Sequence, residues 1–448
     1  MTIKMSVPIR YVHRSTTLCT VAWLAYLVFL LSAAWPQQSP DAQLLALINQ
    51  IKAVDNHSHA LPVPGQTALD HDIPNPLGTS PPFMSVRQRE GNAEWIDAWH
   101  ALYGYQWQDF DTAHIQEALR AKKQRIQAQG AAYPAWVLDQ IGIDVVLING
   151  PALGTGQTSP RFRWVPYADG FLFPFQAIDF QGSMTLQQRR KDVGLASMPP
   201  AWTSYLKLIT QQLTAWKGNE AVAVKFAIAY YRSLDFASVG DADAERIYER
   251  YLASGERQHD YHTAEYRALQ DFLFRYVVRE AGRIGLPVHI HTGEGAGPAF
   301  PTAGSNPLLL EGVLNDFSLA RTKFVLVHGG FPFDREVVSL IQKPNVYVDI
   351  SGQTFFRSAN DLSGTLSQWL YAFPEKIMFG TDAFTHTWLR GWEEMTWIAT
   401  RSGRIALALA LTRMTAAGEI PRDRAEVIGR MVLRDNATRL YGLNQHQR

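Results

Sequence analysis

Short apolar runs alternate along this chain with longer segments in which apolar residues recur every three or four positions. The short runs end in polar or small residues, as buried strands do, and the longer segments have the periodicity of amphipathic helices. The pattern predicts eight strands, near residues 51–54, 143–150, 162–175, 221–228, 287–291, 323–328, 346–350 and 376–380.

Helical segments fill the intervals between these strands. A helix that begins after Asp41 precedes the first strand, and further helices are predicted at 111–139, 202–216, 260–284 and within 392–441. Eight strands that alternate with helices are typical of a closed parallel (β/α)8 barrel, the TIM barrel. The chain is therefore predicted to have an α/β fold, with one barrel domain over residues 41–445.

This barrel is expected to carry a long insertion at about residues 61–140. Residues 61–95 are rich in Pro, Gly and Asn, which predicts a loop. The loop leaves the end of the first strand, and loops in that position often cover a site. We therefore expect it to form the roof of a pocket.

The first 36 residues differ in composition from the rest. Lys4, Arg10 and Arg14 precede an apolar stretch at 18–31, and small residues follow at 32–34. This order is typical of a secretory signal peptide, and an uncleaved membrane anchor at 18–34 is the alternative. Both interpretations predict an exported protein, periplasmic or extracellular, that meets a membrane only through this segment. The only cysteine, Cys19, lies within it, so the mature domain must be held by its core without disulfides.

The composition of the whole chain is that of a globular protein. Of its 448 residues, 46% are hydrophobic and 19% are charged, and the formal net charge is +1. A nearly neutral chain lacks the basic excess of nucleic-acid-binding proteins. A small-molecule substrate is the expected partner, and a homo-oligomer is left open.

Potential metal ligands stand at the ends of four of the predicted strands. His57 and His59 follow the first strand, and side chains two apart on a strand share one face. His291, His328 and Asp382 end the fifth, sixth and eighth strands. Because the C-terminal ends of barrel strands meet at one rim, these five residues are expected to converge.

Imidazoles and a carboxylate together form a donor set for Zn²⁺ or another divalent cation. His57, His59, His291 and Asp382 are the predicted ligands, and one ion is favoured over two. Such an ion lowers the pKa of its water to about 7, and Asp382 is suited to accept that proton. His328 either completes a second metal position or polarises a substrate carbonyl.

Three basic residues are candidates for substrate binding. Lys225 lies within an apolar strand, where a lysine is costly to bury unless it is paired or modified. It is either carboxylated and bridges two ions, or it remains an ammonium that binds an anionic group. Arg232, after the same strand, is a candidate carboxylate clamp, and a surface salt bridge is the alternative. Arg163 is a further candidate for the same role.

Two other histidines near these strand ends receive a structural interpretation. His289 shares a strand face with His291 and is interpreted as an interior histidine, with a ligand role as the alternative. His386 follows Asp382 by four residues and is interpreted as a packed or solvated side chain, with a place at the same rim as the alternative.

These motifs resemble the amidohydrolase superfamily, and specifically its amidohydrolase-related group of mononuclear zinc hydrolases and decarboxylases. The matching elements are the His57-x-His59 pair, His291 in His-Thr-Gly, His328 in Val-His-Gly-Gly and Asp382 in Gly-Thr-Asp. A narrower similarity is to the amidohydrolase-like domain found fused to glutamine-synthetase-like domains. It rests on the segments at 132–139, 225–232, 305–308 and 344–349.

The resemblance implies a metal-dependent enzyme but not its substrate. The first hypothesis is an exported hydrolase in which water activated by the metal attacks an amide, a related C–N bond or an ester. The alternative is a metal-dependent decarboxylase of a small aromatic or unsaturated acid. A non-catalytic ligand-binding barrel is disfavoured, since a drifting site has no reason to keep a ligand-type residue at each strand end.

Overall fold

The computed structural model describes residues 39–60, 85–175, 183–195, 199–255, 259–295 and 300–443. The chain divides into Met1–Pro40 and Asp41–Arg448, and all the described helices and strands belong to the second unit. The predicted signal or anchor segment and residues 61–84 of the predicted loop lie outside the described residues. Among the described helices, none has the length and apolar character needed to cross a membrane.

Eight parallel strands lie within the described residues and form the centre of the fold. One sheet has the order β1-β2-β3 and the other has the order β4-β5-β6-β7-β8. Each strand therefore pairs with its neighbour in sequence, as expected when a helical connection follows every strand. The strands are β1 Ala53–Ser58, β2 Ile143–Asn149, β3 Phe162–Val165, β4 Val224–Phe226, β5 Val288–His291, β6 Phe324–Val327, β7 Val346–Asp349 and β8 Ile377–Met378.

Backbone hydrogen bonds also join the two sheets to each other at both ends. Between β3 and β4, the amides of Val222 and Lys225 donate to the carbonyls of Trp164 and Pro166. Between β8 and β1, the amide of Asn56 donates to the Phe379 carbonyl and that of Asp382 to the His57 carbonyl. This arrangement is compatible with the predicted (β/α)8 barrel.

Fifteen α-helices are described around these strands. The first, α1, begins where the Asp41 side chain accepts a hydrogen bond from the Leu44 amide, which satisfies a free N–H of the first turn. The helices are α1 Ala42–Gln50, α2 Ala93–Tyr103, α3 Thr112–Gln129, α4 Tyr133–Ile141, α5 Ser183–Asp192, α6 Trp202–Gly218, α7 Asp241–Ala253, α8 Ala264–Arg283, α9 Glu311–Leu314, α10 Val337–Ile341, α11 Gln353–Phe356, α12 Ala359–Ala372, α13 Trp392–Ala416, α14 Arg422–Arg430 and α15 Asn436–Tyr441.

The apolar core has two parts. The larger cluster packs the helices against the sheets. The smaller cluster combines side chains from both sheets with Ala437 of α15, and its members include Val54, Leu147, Val165 and Met378. The two sheets therefore share one interior apolar cluster.

The eight predicted strands are all present, but some predicted strands, one helix and one loop differ in length from the observed elements. β3 and β4 are shorter than the predicted 162–175 and 221–228, because the chain turns into 3₁₀ helices at Asp169–Leu172 and Ile228–Tyr230. The predicted helix at 111–139 is two helices, separated at Gly130, which has a φ of 53°. The predicted loop 61–95 also extended too far, since α2 begins at Ala93.

Candidate metal centre

The ends of β1 and β8 bring two imidazoles against one carboxylate oxygen. The Nε2 atoms of His57 and His59 each lie 3.1 Å from Oδ1 of Asp382. The opposite nitrogen of each ring contacts a different partner. Nδ1 of His57 is 2.6 Å from Oδ1 of Asn149, and Nδ1 of His59 is 3.4 Å from the hydroxyl of Tyr167. Both rings are therefore oriented from behind, with Nε2 directed at Asp382.

The predicted histidines of β5 and β6 join the same group. The His328 ring lies 5.0 Å from the His57 ring and 4.5 Å from the His291 ring, measured between centroids. Nδ1 of His328 is 3.7 Å from Oδ2 of Asp382. Within the described residues, ligand atoms of His57, His328 and Asp382 all lie within 4.8 Å of one another. His59 contacts the same carboxylate and His291 packs against His328, so the five residues proposed from the sequence form one contiguous group.

Two of these residues have a backbone conformation that is unusual for a side chain. Asp382 has a φ of 57° and His328 has a φ of 68°, in the left-handed region that favours glycine. Non-glycine residues remain there only when the surrounding structure holds them, and such residues cluster at functional sites.

A buried aspartate holds each of these strained segments. Asp55 accepts hydrogen bonds from the amide and the hydroxyl of Thr381, next to Asp382, at 2.8 and 2.6 Å. Asp349 accepts one from the amide of His328 itself, at 3.0 Å. Both aspartates are fully buried, so these hydrogen bonds are made away from competing water.

Burial sets the protonation states of the site. Burial lowers the pKa of His57, and the charge of Lys225 lowers it further. Burial likewise holds the pKa of His328 well below its usual range. For Asp382, burial alone raises the pKa, but the electrostatic interactions with His328, His57 and His59 outweigh it, so the pKa lies well below its ordinary value. Neutral imidazoles beside an ionised carboxylate are the forms that bind metal.

The donor arrangement itself fits a cation. Asn149 Oδ1 accepts the Nδ1 proton of His57, which leaves a lone pair on Nε2. That lone pair faces the Asp382 carboxylate oxygen at 3.1 Å. Two acceptors in this position repel each other unless a proton or a cation lies between them, and burial disfavours the protonated ring. Nitrogen and oxygen donors of this kind suit zinc and related divalent ions.

Lys225 lies at the same site, as the sequence predicted. Its side chain is fully buried, and its Nζ atom is 3.3 Å from Nε2 of His57. The lysine of β4 therefore projects toward the ligand group and away from solvent.

The two arginines proposed for substrate binding are placed elsewhere. The Arg232 guanidinium pairs with Asp271 of α8 at 2.7 Å and donates to the backbone carbonyls of Ser233, Arg267 and Asp235. Its donors are engaged within the fold, so the predicted carboxylate clamp is wrong. The predicted alternative, a surface salt bridge, is also incorrect in one respect, because the pair is largely buried.

Arg163 lies at the opposite end of its strand from the site. It is the second residue of β3, and its Nη1 atom is 3.4 Å from the hydroxyl of Ser159, which precedes the strand. Burial lowers its pKa, and the neighbouring charge is Glu220, before β4. Both neighbours lie on the N-terminal side of β3, away from the ligands, and they give the predicted substrate-binding role no support.

The remaining two histidines lie near the site without joining the ligand group. Nε2 of His289 is 2.7 Å from the hydroxyl of Tyr441 on α15, which supports the predicted interior role. His386 follows β8 in a loop, with its ring 4.5 Å from that of Phe384.

The sequence reasoning missed the residues that support the ligands. Asn149, Asp55 and Asp349 make the hydrogen bonds that fix His57, Asp382 and His328. Each is a polar residue at or near the end of an apolar strand, and all three are buried. A buried polar residue in that position needs hydrogen-bond partners. A polar residue at the end of an apolar run is therefore the sequence feature that could have indicated these three supporting residues.

Comparisons with known proteins agree with this architecture. A sequence model of the amidohydrolase family matches residues 185–443. Uronate isomerase from Thermotoga maritima is similar in structure, with a TM-score of 0.63 at 16% identity over 90% of this chain and 98% of that one. Glucuronate isomerase from Caulobacter crescentus gives 0.61 at 15% identity, over 90% and 94%.

A third similar structure is a candidate metal-dependent hydrolase from Lactobacillus casei ATCC 334. Its TM-score is 0.60 at 17% identity, over 92% of this chain and 100% of that one. At these identities the likeness shows a common fold. No curated protein is significantly similar in sequence to this chain.

Proposed function

The chain belongs to the amidohydrolase family, and we propose that it is a metal-dependent hydrolase that cleaves an amide, a related C–N bond or an ester of a small molecule. The observation that carries this proposal is the position of Asp382 Oδ1, 3.1 Å from the Nε2 atoms of both His57 and His59. The narrower similarity to the domain fused to glutamine-synthetase-like domains stays a prediction.

The residues that would hold the ion are His57, His59, His291 and Asp382. A divalent cation held there would lower the pKa of its water to about 7, which would make hydroxide available at neutral pH. The chain supplies the rest of the chemistry. Asp382 is ionised and lies among the ligands, so it accepts the proton of the attacking water and returns it to the leaving group. His328 lies beside the reacting group, as a substrate contact if one ion is bound and as a further ligand if two are bound.

We propose that the site binds one ion per chain. If it binds two, Lys225 and His328 are the additional ligands of the second ion. Lys225 is close enough to His57 to serve either role that its position predicts, as a carboxylated bridge or as an ammonium. With one ion, the ammonium binds an anionic group of the substrate, and this is the role we assign to it.

The architecture that we propose for this site is a closed (β/α)8 barrel. Its support is the set of hydrogen bonds that join β3 to β4 and β8 to β1, together with the shared interior cluster. Such barrels carry their catalytic residues at the C-terminal ends of the strands, which is where these ligands stand.

Decarboxylation of a small aromatic or unsaturated acid is the second candidate function. The observation in its favour is the combination of buried Lys225, suited to a carboxylate, with aromatic rings beside His291. The ring of Tyr230 lies 4.8 Å and that of Phe300 lies 5.5 Å from the His291 ring. Release of CO₂ without incorporation of solvent oxygen into the product would separate this reaction from hydrolysis.

Export and assembly remain proposals drawn from the sequence. The support for export, to the periplasm or the extracellular space, is the order of basic, apolar and small residues within 1–36. The same segment is the proposed membrane anchor if it is not cleaved. A small molecule is the proposed partner, and a homo-oligomer is compatible with it.

The test of the proposed function combines metal analysis with substrate screening. The purified protein should contain about one equivalent of a divalent metal per chain. It should turn over a member of a panel of N-acyl amino acids, dipeptides, lactones and aromatic carboxylic acids. Chelation should abolish that turnover, and Zn²⁺ or Mn²⁺ should restore it. If the purified protein contains no metal and shows no turnover after metal is added, the proposal is contradicted. If a compound binds but is recovered chemically unchanged after long incubation, a non-catalytic ligand-binding barrel is favoured.

A further inference from the structure

Asp349 ends β7, and the proposed reaction gives it no role. It closes the apolar run Val346–Asp349 and is fully buried. A carboxylate in this position is costly unless hydrogen bonds compensate for the lost water. Its partners therefore indicate why the fold keeps it.

Four hydrogen bonds converge on the Asp349 carboxylate. Oδ1 accepts from the hydroxyl of Ser351 at 2.6 Å, from the amide of Ser351 at 3.1 Å and from the amide of His328 at 3.0 Å. Oδ2 accepts from Nδ2 of Asn56 at 2.6 Å. Three of the four donors belong to His328 or to the serine that touches it.

The direction of the serine hydroxyl follows from these contacts. Ser351 has one hydroxyl proton, and the short contact to Asp349 uses it. Its oxygen then has only lone pairs to offer to Nδ1 of His328, 3.1 Å away. The Ser351 carbonyl, 3.3 Å from the same nitrogen, is also an acceptor. Nδ1 of His328 must therefore carry the ring proton, and Nε2 is left as the nitrogen with a lone pair.

The backbone of His328 is held by the same group of residues. Its amide donates to Asp349, and its carbonyl accepts from Nε2 of Gln353 at 2.9 Å. These two bonds stabilise the segment with a φ of 68° that directs the imidazole to the ligand group.

We propose that Asp349 is a positioning residue for His328, acting through Ser351 to fix both the backbone and the ring tautomer, with the proton on Nδ1 and the lone pair on Nε2. This inference rests on the proposed function, because His328 has a catalytic role only there. It concerns the orientation of one ligand-group residue and is independent of which bond the enzyme cleaves.

The first test reads the tautomer directly. In zinc-loaded protein with ¹⁵N-labelled histidine, the imidazole nitrogen shifts of His328, assigned with a His328→Gln variant, should show the proton on Nδ1. A proton on Nε2 would overturn the proposal. The same measurement on zinc-free protein reports the tautomer even if the protein proves not to be a metal-dependent hydrolase. Failure of the positioning proposal can therefore be distinguished from failure of the proposed function.

The second test removes the serine hydroxyl. Ser351→Ala should lower kcat by about 10- to 100-fold, the range for residues that support a metal site, with KM and zinc content nearly unchanged. Ser363→Ala is the matched control, because Ser363 is a buried serine whose hydroxyl donates within α12 to the Asn360 carbonyl. Wild-type kcat in Ser351→Ala would contradict the proposal.

The third test exchanges the two partners of one hydrogen bond. Asp349→Asn places an amide NH₂ group against the donors of Asn56 or Ser351, and kcat should fall by about 10- to 100-fold. The double variant Asn56→Asp with Asp349→Asn restores a donor opposite an acceptor, and kcat should return to within about threefold of wild type. No recovery in a folded double variant would contradict positioning through these hydrogen bonds. If Asp349→Asn does not fold, the nitrogen shifts of His328 and the kcat of Ser351→Ala still test whether Asp349 positions His328.

Discussion

Asp55 accepts hydrogen bonds from both the backbone amide and the hydroxyl of Thr381, although 326 residues separate them in sequence. The contact joins the end of β1 to the segment after β8. It places Asp382, the next residue, opposite the two histidines that follow Asp55. The candidate metal centre thus depends on a carboxylate that is not itself a ligand.

Removing this contact should cost stability. Asp55→Ala leaves the amide and the hydroxyl of Thr381 buried without their acceptor, and the free energy of unfolding should fall by about 2–3 kcal/mol. Thr381→Val removes the hydroxyl but keeps the backbone bond, and should cost about 1 kcal/mol. Urea unfolding of the two variants measures both values. An equal decrease in the free energy of unfolding for both variants, or no decrease for Asp55→Ala, would contradict this account of the contact between Asp55 and Thr381.

The buried pair of Arg232 and Asp271 should contribute to stability and not to substrate binding. Removing one partner of a buried ion pair typically costs about 3–5 kcal/mol, because the other charge is left uncompensated. Arg232→Ala should therefore lower the free energy of unfolding by about 3 kcal/mol, and Asp271→Asn should also destabilise. A higher KM for anionic substrates with unchanged stability would instead restore the clamp that the sequence suggested.

The loop after β8 should make stability depend on pH in the acid range. Burial lowers the pKa of His386 to about 4, and Arg390 adds to the effect, whereas an exposed histidine titrates near 6.5. As the pH falls from about 6.5 toward 4, the unfolded chain binds a proton that the folded chain does not, so stability decreases. His386→Gln should reduce that decrease, which unfolding measured at several pH values would show.

His114 provides a control with the opposite sign. The hydrogen bond from its Nδ1 atom to Asp109, 2.9 Å long, raises the pKa of His114. Protonation of His114 on acidification therefore stabilises the folded state. On acidification, His114→Gln should lose this contribution to the free energy of unfolding, whereas His386→Gln should lose a destabilising one. The same direction of change in both variants would contradict the assignment.

Lys225 discriminates one ion from two. With one ion, Lys225→Met should keep about one equivalent of metal, and KM should rise for substrates with an anionic group. If the wild-type protein holds two equivalents and the variant holds one, the lysine is a bridging ligand and the one-ion proposal is wrong. Metal analysis of both proteins, purified in the same way, is the measurement.

The ligand residues were visible in the sequence because each follows an apolar strand. In β1, for example, the apolar residues Ala53 and Val54 are followed by the polar end of the strand, where His57 lies, and the C-terminal ends of neighbouring parallel strands lie at one edge. That geometry needs only the strand order, which the alternation of strands and helices supplies. The amidohydrolase resemblance rested on the same positions.

For the supporting residues and the arginines, the local pattern indicates that a buried polar group needs hydrogen-bond partners, but it does not identify those partners, which are tertiary. Arg232 follows β4 directly, as a clamp should, but its partner Asp271 lies on α8. Arg163 has the right residue type, but its side chain contacts Ser159, which precedes the start of β3 at Phe162. Asn149 and Asp349 are ordinary residues until the fold places them behind His57 and His328.

The most direct test of the central claim is turnover by Asp382→Asn with the metal content measured on the same samples. The three histidines remain, so the variant should keep most of its metal while kcat falls by about 10³-fold or more, as expected when a general base is lost. Turnover within about tenfold of wild type at equal metal content would contradict the role assigned to Asp382.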